Sequence, residues 1–152
     1  AVESIGSKVL GVDVSIDAIK IAEKNRIALS LDNVVFETMN ILTDMPSNKF
    51  DILVSNPPYI PKEDISSLMR EVKDYEPLIA LTDNSDGLTF YKRIAIIGRK
   101  VLKIKSWVIL EVGIGKHPDK VKSIFTNQNY DNIEIVKDYN GDNRILIARV
   151  KS

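Results

Sequence analysis

Apolar positions along this chain fall into short runs and into stretches with helical spacing, and the two kinds alternate. Residues 8–14 (KVLGVDV) form an apolar run ending beside an acid and read as a strand. Ser15 then offers a helix N-cap, Asp17 suits a first turn, and Ile16, Ile19 and Ala22 keep helical spacing through about Leu29. Residues 33–37 (NVVFE) and 50–55 (FDILVS) predict two more strands, the second stopped by Asn56-Pro57-Pro58. After a polar stretch, Leu88, Tyr91, Ile94, Ala95, Val101 and Leu102 mark an amphipathic helix. Residues 106–112 (SWVILEV) are almost continuously apolar, the pattern of a parallel strand covered on both faces, and 119–127 predict another helix. The tail breaks the alternation: 133–139 and 144–150 flank Asn140-Gly141-Asp142-Asn143, a turn signal for an antiparallel pair. A strand–helix series closed by a hairpin predicts an α/β fold, a mostly parallel sheet with one antiparallel strand. There is no internal repeat, low-complexity tract or linker, so residues 1–152 read as one compact domain.

Composition narrows the chemistry. At 44% hydrophobic and 28% charged residues the chain is an ordinary globular sequence, and 152 residues bury a core without a disulfide or metal staple. The lack of Cys removes a disulfide scaffold, a thiolate zinc site and a cysteine nucleophile, and fits a reducing cytoplasm. One His argues against a His-rich metal site and a Ser-His-Asp triad, so no metal is expected. Lys+Arg and Asp+Glu both number 21, which gives no global field to attract nucleic acid or an anionic membrane. No apolar run approaches the roughly 18 residues of a membrane span, and the N-terminus lacks the order of a signal peptide.

The strongest candidate for chemistry is Ser55-Asn56-Pro57-Pro58-Tyr59-Ile60, directly after an apolar strand. Ligands of open α/β sheets bind beyond the carboxyl ends of strands, so the position suits a site. Asn56 precedes a proline and is biased to extended backbone, while Pro57 and Pro58 present carbonyls without N–H donors. An Asn side-chain oxygen and a proline carbonyl can together hold both hydrogens of an NH2 group, and Tyr59 adds a flat ring to pack on a planar amide or base. The bland alternative is a proline-rich turn capped by Asn.

Asn-Pro-Pro-Tyr after a strand resembles the motif of S-adenosylmethionine-dependent methyltransferases that act on amino nitrogens. The surrounding residues look most like the HemK/PrmC family of release-factor glutamine-N5 methyltransferases. Four ordered segments beyond the tetrapeptide carry this: Glu76-Pro77 with Ala80-Leu81; Asp86-Gly87-Leu88 with Phe90-Tyr91; Leu110-Glu111-Val112-Gly113; and Asp138-Tyr139 through Asn143-Arg144. The resemblance runs from about Val9 to the C-terminus. It implies a Rossmann-like methyltransferase fold, S-adenosylmethionine as cofactor and a peptide-chain release factor as partner. Asn56, Pro57 and Tyr59 would be catalytic, with Pro58 beside them at the substrate and Asn56 also near the cofactor. Asp13, at the end of the first strand, would accept hydrogen bonds from the cofactor ribose; otherwise it is a turn residue beside the Ser15 cap. Asn40 stands where the family usually carries an acid next to the adenine; its amide could still accept from the adenine amino group, with Ile41 packed on the ring. The alternative for Asn40 and Ile41 is a plain loop.

Other residues weigh less. Gly113-Ile114-Gly115 lacks the third glycine of a dinucleotide fingerprint, because position 118 is proline. His117 reads as a solvated residue near a helix start, Glu111 either lines the pocket or does not, and Glu76 and Arg144 read as structural or substrate-orienting. Arg99, Lys100, Lys103 and Lys105 read as a solvated helix end.

Proteins of this fold cradle the cofactor on a strand ending in a Gly-rich loop, which belongs just before Asp13. Only Gly6 and Gly11 precede Asp13, and residues 1–5 resemble the tail of the helix that follows the loop. The expectation is a methyltransferase domain cut downstream of its first motif, with the central first strand and the helical N-terminal domain missing. Such a chain would bind cofactor weakly, turn over no substrate and self-associate through exposed sheet edges. Two other functions stay open, an amino-nitrogen methyltransferase of DNA or RNA bases and an inactive truncated domain; the zero net charge argues against the first.

Overall fold

The computed structural model describes residues 1–4 and 6–152. Its contacts group into two compact units, Ala1–Met45 and Pro46–Ser152.

The first unit is a βαβ element. β1 (Val9–Asp13) and β2 (Val34–Thr38) pair in parallel with Val9 opposite Val34 and Asp13 opposite Thr38, and α1 (Ile16–Ala28) connects them. The hydroxyl of Ser15 accepts from the Ala18 N–H and Asp17 lies in the first turn, so the predicted cap is the observed one. Val34 is the one buried side chain among this unit's described residues. Residues 1–4 are not helical, which corrects the expected helix tail at 1–5; Ile5 lies outside the described residues. The Asn33 amide nitrogen instead reaches the carbonyls of Ala1, Ser4 and Ser7 at 3.2, 3.2 and 3.1 Å, holding that segment in irregular backbone.

The second unit carries the larger core. Its four-stranded sheet runs β3-β4-β6-β5, from β3 (Phe50–Ser55), β4 (Leu102–Glu111), β5 (Tyr130–Lys137) and β6 (Asn143–Val150). β3 and β4 are parallel, whereas β4–β6 and β5–β6 are antiparallel. The α/β class and the closing hairpin are as predicted, but the strands form two sheets rather than one continuous sheet. α4 (Thr89–Val101) and α5 (His117–Asn127) supply Tyr91, Ile94, Ala95, Val121 and Phe125 to a core completed by Val108, Leu110, Leu146 and Ala148. Tyr130 packs edge-on against Phe125 at 4.9 Å and donates to the Ala95 carbonyl at 3.1 Å; burial pushes its hydroxyl pKa up to about 12.

Three details differ from the sequence pattern. The polar stretch after β3 contains a 3-10 turn (Lys62–Ser67) and the short helices α2 (Arg70–Tyr75) and α3 (Leu78–Leu81). None of these carries enough periodic apolar positions to be read in advance. β4 starts at Leu102, its register against β3 shifts between Phe50 and Ile52, and Lys105 takes a left-handed φ of 65°. Its apolar run is also not covered on both faces: Val108 and Leu110 are buried, while Trp107 and Ile109 are half-buried. Of the expected basic helix end, Arg99 and Lys100 close α4, whereas Lys103 and Lys105 lie on β4, Lys103 paired with Asp51 at 2.8 Å. Among the described residues no helix is long and apolar enough to cross a membrane.

Candidate functional site

The Asn56–Tyr59 loop leaves the carboxyl end of β3, where the two prolines end the ladder. Pro57 is buried, Pro58 and Tyr59 are half-buried, and Asn56 is exposed. Among the described residues no group hydrogen-bonds the Asn56 side chain, and none donates to the Pro57 carbonyl. Two acceptor oxygens therefore stand on a rigid backbone with their hydrogen-bonding capacity unspent.

Tyr59 is anchored on three sides. Its hydroxyl donates to Glu111 Oε1 at 3.2 Å and accepts from Arg144 Nη2 at 3.1 Å, and Arg144 pairs with the same Glu111 oxygen at 2.8 Å. The Arg144 guanidinium carbon stands 5.6 Å from the ring centroid. The hydrogen bond to Tyr59 and the Glu111 charge raise the Arg144 pKa further, so it stays a cation. Tyr91, whose own pKa is raised by burial, donates from its hydroxyl to the Glu111 carbonyl at 2.7 Å. The sheet explains the meeting. Glu111 ends β4 opposite Ile145 of β6, and the Val112 N–H donates to the Arg144 carbonyl, so register brings the two side chains together. Glu111 and Arg144 thus hold Tyr59, an arrangement their separation in sequence left open. Glu76 is exposed at the end of α2, where its N–H donates to the Val72 carbonyl.

The loop after Tyr59 is clamped by backbone. Ile60 N–H donates to Leu81 O at 3.0 Å and Lys62 N–H to Ser85 O at 2.9 Å. Gly87 has φ +77°, and a Cβ there would run into the Tyr59 carbonyl, so only glycine lets the two strands of chain touch. Asp83 organises this turn: its carboxylate accepts from the N–H groups of Ser85, Gly87 and Thr89 at 2.9, 3.0 and 2.9 Å. Burial works against that charge, but these bonds outweigh it and hold Asp83 below its ordinary pKa. Asp83 and Asp86 together cap α4, which has no side-chain cap of its own; the Leu88 N–H donates to Asp86 at 3.0 Å. The signal for this was an acid-rich segment just ahead of a helix.

His117 corrects the expectation of a solvated residue: it starts α5 but is half-buried, because its ring packs edge-on to Tyr91 at 5.1 Å and tilted to Tyr59 at 5.9 Å. Gly113, two residues past the end of β4, lies against that ring and forms no phosphate loop; a Cβ there would press on Tyr59 and His117 at 3.2 and 3.3 Å.

The residues expected at the cofactor lie in the first unit, at the carboxyl ends of its parallel pair. Asp13 is exposed; its Oδ1 accepts from the Ser15 N–H at 2.8 Å, and its carbonyl accepts from Met39 N–H at 2.9 Å. The turn role of Asp13 is thus realised, and its second carboxylate oxygen keeps the capacity to accept from a hydroxyl pair. Asn40 is exposed and its Oδ1 accepts from Leu42 N–H at 3.0 Å, a loop-forming bond that leaves one lone pair on that oxygen. Ile41 beside it is half-buried. An acceptor carboxylate at the end of β1, with an amide and an aliphatic side chain just past β2, fit the ribose and adenine of a nucleoside cofactor.

Comparison with known proteins agrees with this reading of the fold. Residues 2–110 match the methyltransferase domain family. A release factor glutamine methyltransferase of Fusobacterium nucleatum is 42% identical over 144 residues, covering 94% of this chain and 40% of that protein. Its namesake from Clostridium acetobutylicum is 41% identical over 144 residues, covering 93% and 50%. The chain thus spans about half the length of such relatives. Among solved structures, a methyltransferase from Pyrococcus furiosus superposes with a TM-score of 0.70 at 16% identity, covering 95% of this chain and 64% of that one. With β1–α1–β2 and the Asn-Pro-Pro-Tyr strand end both inside the matched region, this chain belongs to the methyltransferase domain family and has its Rossmann-like α/β fold.

Proposed function

We propose that the protein transfers a methyl group from S-adenosylmethionine to the side-chain amide nitrogen of a glutamine in a peptide-chain release factor. The observation that carries this is the pair of unspent acceptors, the exposed Asn56 side chain and the Pro57 carbonyl, on a loop whose Tyr59 is held by Glu111 and Arg144. Similarity to release factor glutamine methyltransferases along nearly the whole chain supports the glutamine as acceptor.

An amide nitrogen is a poor nucleophile because its lone pair is delocalised into its carbonyl. Asn56 Oδ1 and the Pro57 carbonyl accept its two N–H bonds, draw the nitrogen toward a pyramidal form and leave the lone pair directed away from both acceptors. When bound, S-adenosylmethionine supplies a sulfonium-activated methyl group. As the new N–C bond forms and the methyl–sulfur bond breaks to leave a neutral thioether, one N–H proton becomes acidic; the acceptor holding it keeps it oriented until water takes it. No strong base is required, and rate comes from positioning. Asp13 would hold the ribose hydroxyls, with Asn40 and Ile41 at the adenine. We read residues 1–152 as the catalytic domain, or most of it, of a protein working in the cytoplasm, where release factors act.

The test, made with the full protein that contains residues 1–152, is transfer of labelled methyl to a purified release factor, with DNA and RNA as parallel acceptors, followed by mass mapping of the product. Label on a single glutamine is the expected outcome. Label entering nucleic acid and not the release factor would replace this reading by that of a base methyltransferase.

A further inference from the structure

His117 packs against the Asn56–Tyr59 loop, and neither the proposed chemistry nor the Tyr59–Glu111–Arg144 cluster uses it. Its Nδ1 accepts from the Gly113 N–H at 3.1 Å. An N–H donor at Nδ1 requires a lone pair there, so in the neutral ring the proton sits on Nε2, which lies 3.2 Å from the Gly87 carbonyl and donates to it. One imidazole thereby joins the end of β4 to the turn ahead of α4. That turn in turn touches the loop, because Gly87 abuts the Tyr59 carbonyl with no room for a side chain between them. Pro57 and Pro58 have fixed φ angles, so the orientation of the Pro57 carbonyl depends on where the chain is held on either side. β3 holds one side; on the other, the Tyr59 carbonyl resting on Gly87 acts together with the Ile60–Leu81 hydrogen bond and the Glu111–Arg144 hold on the Tyr59 ring.

We propose that His117 is a positioning residue: as the neutral Nε2–H imidazole it keeps the Gly87 turn against Tyr59 and so fixes the direction in which Asn56 and Pro57 present their acceptors. This rests on the proposed function for its effect on rate, but the clasp itself does not. Protonation puts a second N–H at Nδ1, facing the Gly113 N–H donor, and opens the clasp. The charged groups around the ring are Asp83 and Asp86 from the turn, which favour the cation, and Lys120 from α5, which opposes it. The Tyr59 and Tyr91 rings flank it, with the Glu111–Arg144 pair beyond Tyr59. Burial outweighs these and lowers the His117 pKa, which keeps the ring neutral at pH 7.

The test starts with nitrogen-15 NMR of the imidazole in the full protein, without substrate, the signal being assigned by its loss in His117→Gln. The expected signature is the Nε2–H tautomer with a titration midpoint below the ordinary 6.5. An Nδ1–H tautomer, or a midpoint at or above 6.5, overturns the proposal whatever the acceptor substrate proves to be. Kinetics then read the positioning. His117→Ala should lower kcat for methyl transfer by about tenfold or more, with the KM for S-adenosylmethionine held, as expected when reacting groups are slightly misplaced. His117→Gln, whose amide can still reach the Gly87 carbonyl, should recover part of that loss and abolish the acid limb of the wild-type pH profile. Wild-type kcat in His117→Ala, or an acid limb that persists in His117→Gln, would overturn the proposal. Absence of any methyl transfer by the wild type alongside the expected NMR signature would instead remove glutamine methylation as the function and leave the clasp standing.

Discussion

Asn56 follows β3 and Asp13 ends β1, and their different surroundings predict different consequences of substitution. Asn56 has an exposed side chain that hydrogen-bonds nothing among the described residues, so removing it leaves no buried partner unsatisfied. Asn56→Ala should therefore lower methyl transfer by about 100-fold or more, the scale for losing one transition-state partner, while thermal unfolding stays near that of the wild type. Near-normal turnover would sink the two-acceptor mechanism. Asp13 already spends one carboxylate oxygen on the Ser15 N–H. Asp13→Ala should raise the KM for S-adenosylmethionine with kcat largely kept, and also loosen the start of α1. Asp13→Asn separates the two effects: its amide oxygen can still accept from Ser15, so any remaining loss of cofactor affinity belongs to the ribose contact. Unchanged affinity in both variants would make Asp13 a turn residue only.

At the scale of elements, the segment from Asp83 to Thr89 acts as a brace between α4 and the Asn-Pro-Pro-Tyr loop. Gly87→Ala would force a side chain into left-handed backbone and against the Tyr59 carbonyl at once. The expected cost is about 1–3 kcal/mol from the backbone conformation, with a fall in kcat from the displaced loop, measurable by denaturant titration and initial rates. A variant as stable and as fast as wild type would show that the turn and the loop are not coupled. The same brace gives stability a defined pH dependence. Asp83 has a lowered pKa in the folded chain, so its contribution is present above its ordinary value of 3.8 and is lost as pH falls through the lower folded value. His117 is also lowered: the unfolded chain takes up a proton near 6.5 that the folded chain resists, so stability falls as pH drops from 6.5 toward the folded value. Unfolding free energy measured against pH should show both declines. Asp83→Asn should reduce the more acidic one, to which the lowered Asp86 and Asp131 also contribute, and His117→Gln should remove the other.

Over the whole molecule, stability is unevenly spread. The unit Pro46–Ser152 contains a four-stranded sheet with wholly buried Tyr91, Phe125, Leu110 and Leu146, whereas Val34 is the one buried side chain described in Ala1–Met45. Local opening free energy follows buried apolar contact, so the central strands β4 and β6 should hold the slowest-exchanging amides and β1 and β2 should exchange well before them. Native-state hydrogen exchange read by residue checks this. Equal protection in both units would mean that one cooperative transition covers the chain, despite the difference in burial.

Much of this protein could be read from local signals, for local reasons. The Ser15 cap, the β3 run ended by two prolines, the turn at Gly141 and the periodic face of α4 each depend on residues within a few positions of one another, and each is found where the sequence puts it. The Asn-Pro-Pro-Tyr tetrapeptide was legible for the same reason, since its acceptor geometry is built into consecutive residues. The short helices after Tyr59 were not, because they hold too few apolar positions to show a period. What holds the loop in place also lay beyond the sequence. Glu111 and Arg144 are 33 positions apart and reach Tyr59 only because β4 and β6 pair in one register. His117 looks like a surface residue until α5 packs it between two tyrosines and two glycine backbones. Local preference determined which residues could do chemistry; long-range pairing and packing, which no window of sequence contains, decided which of them are held still.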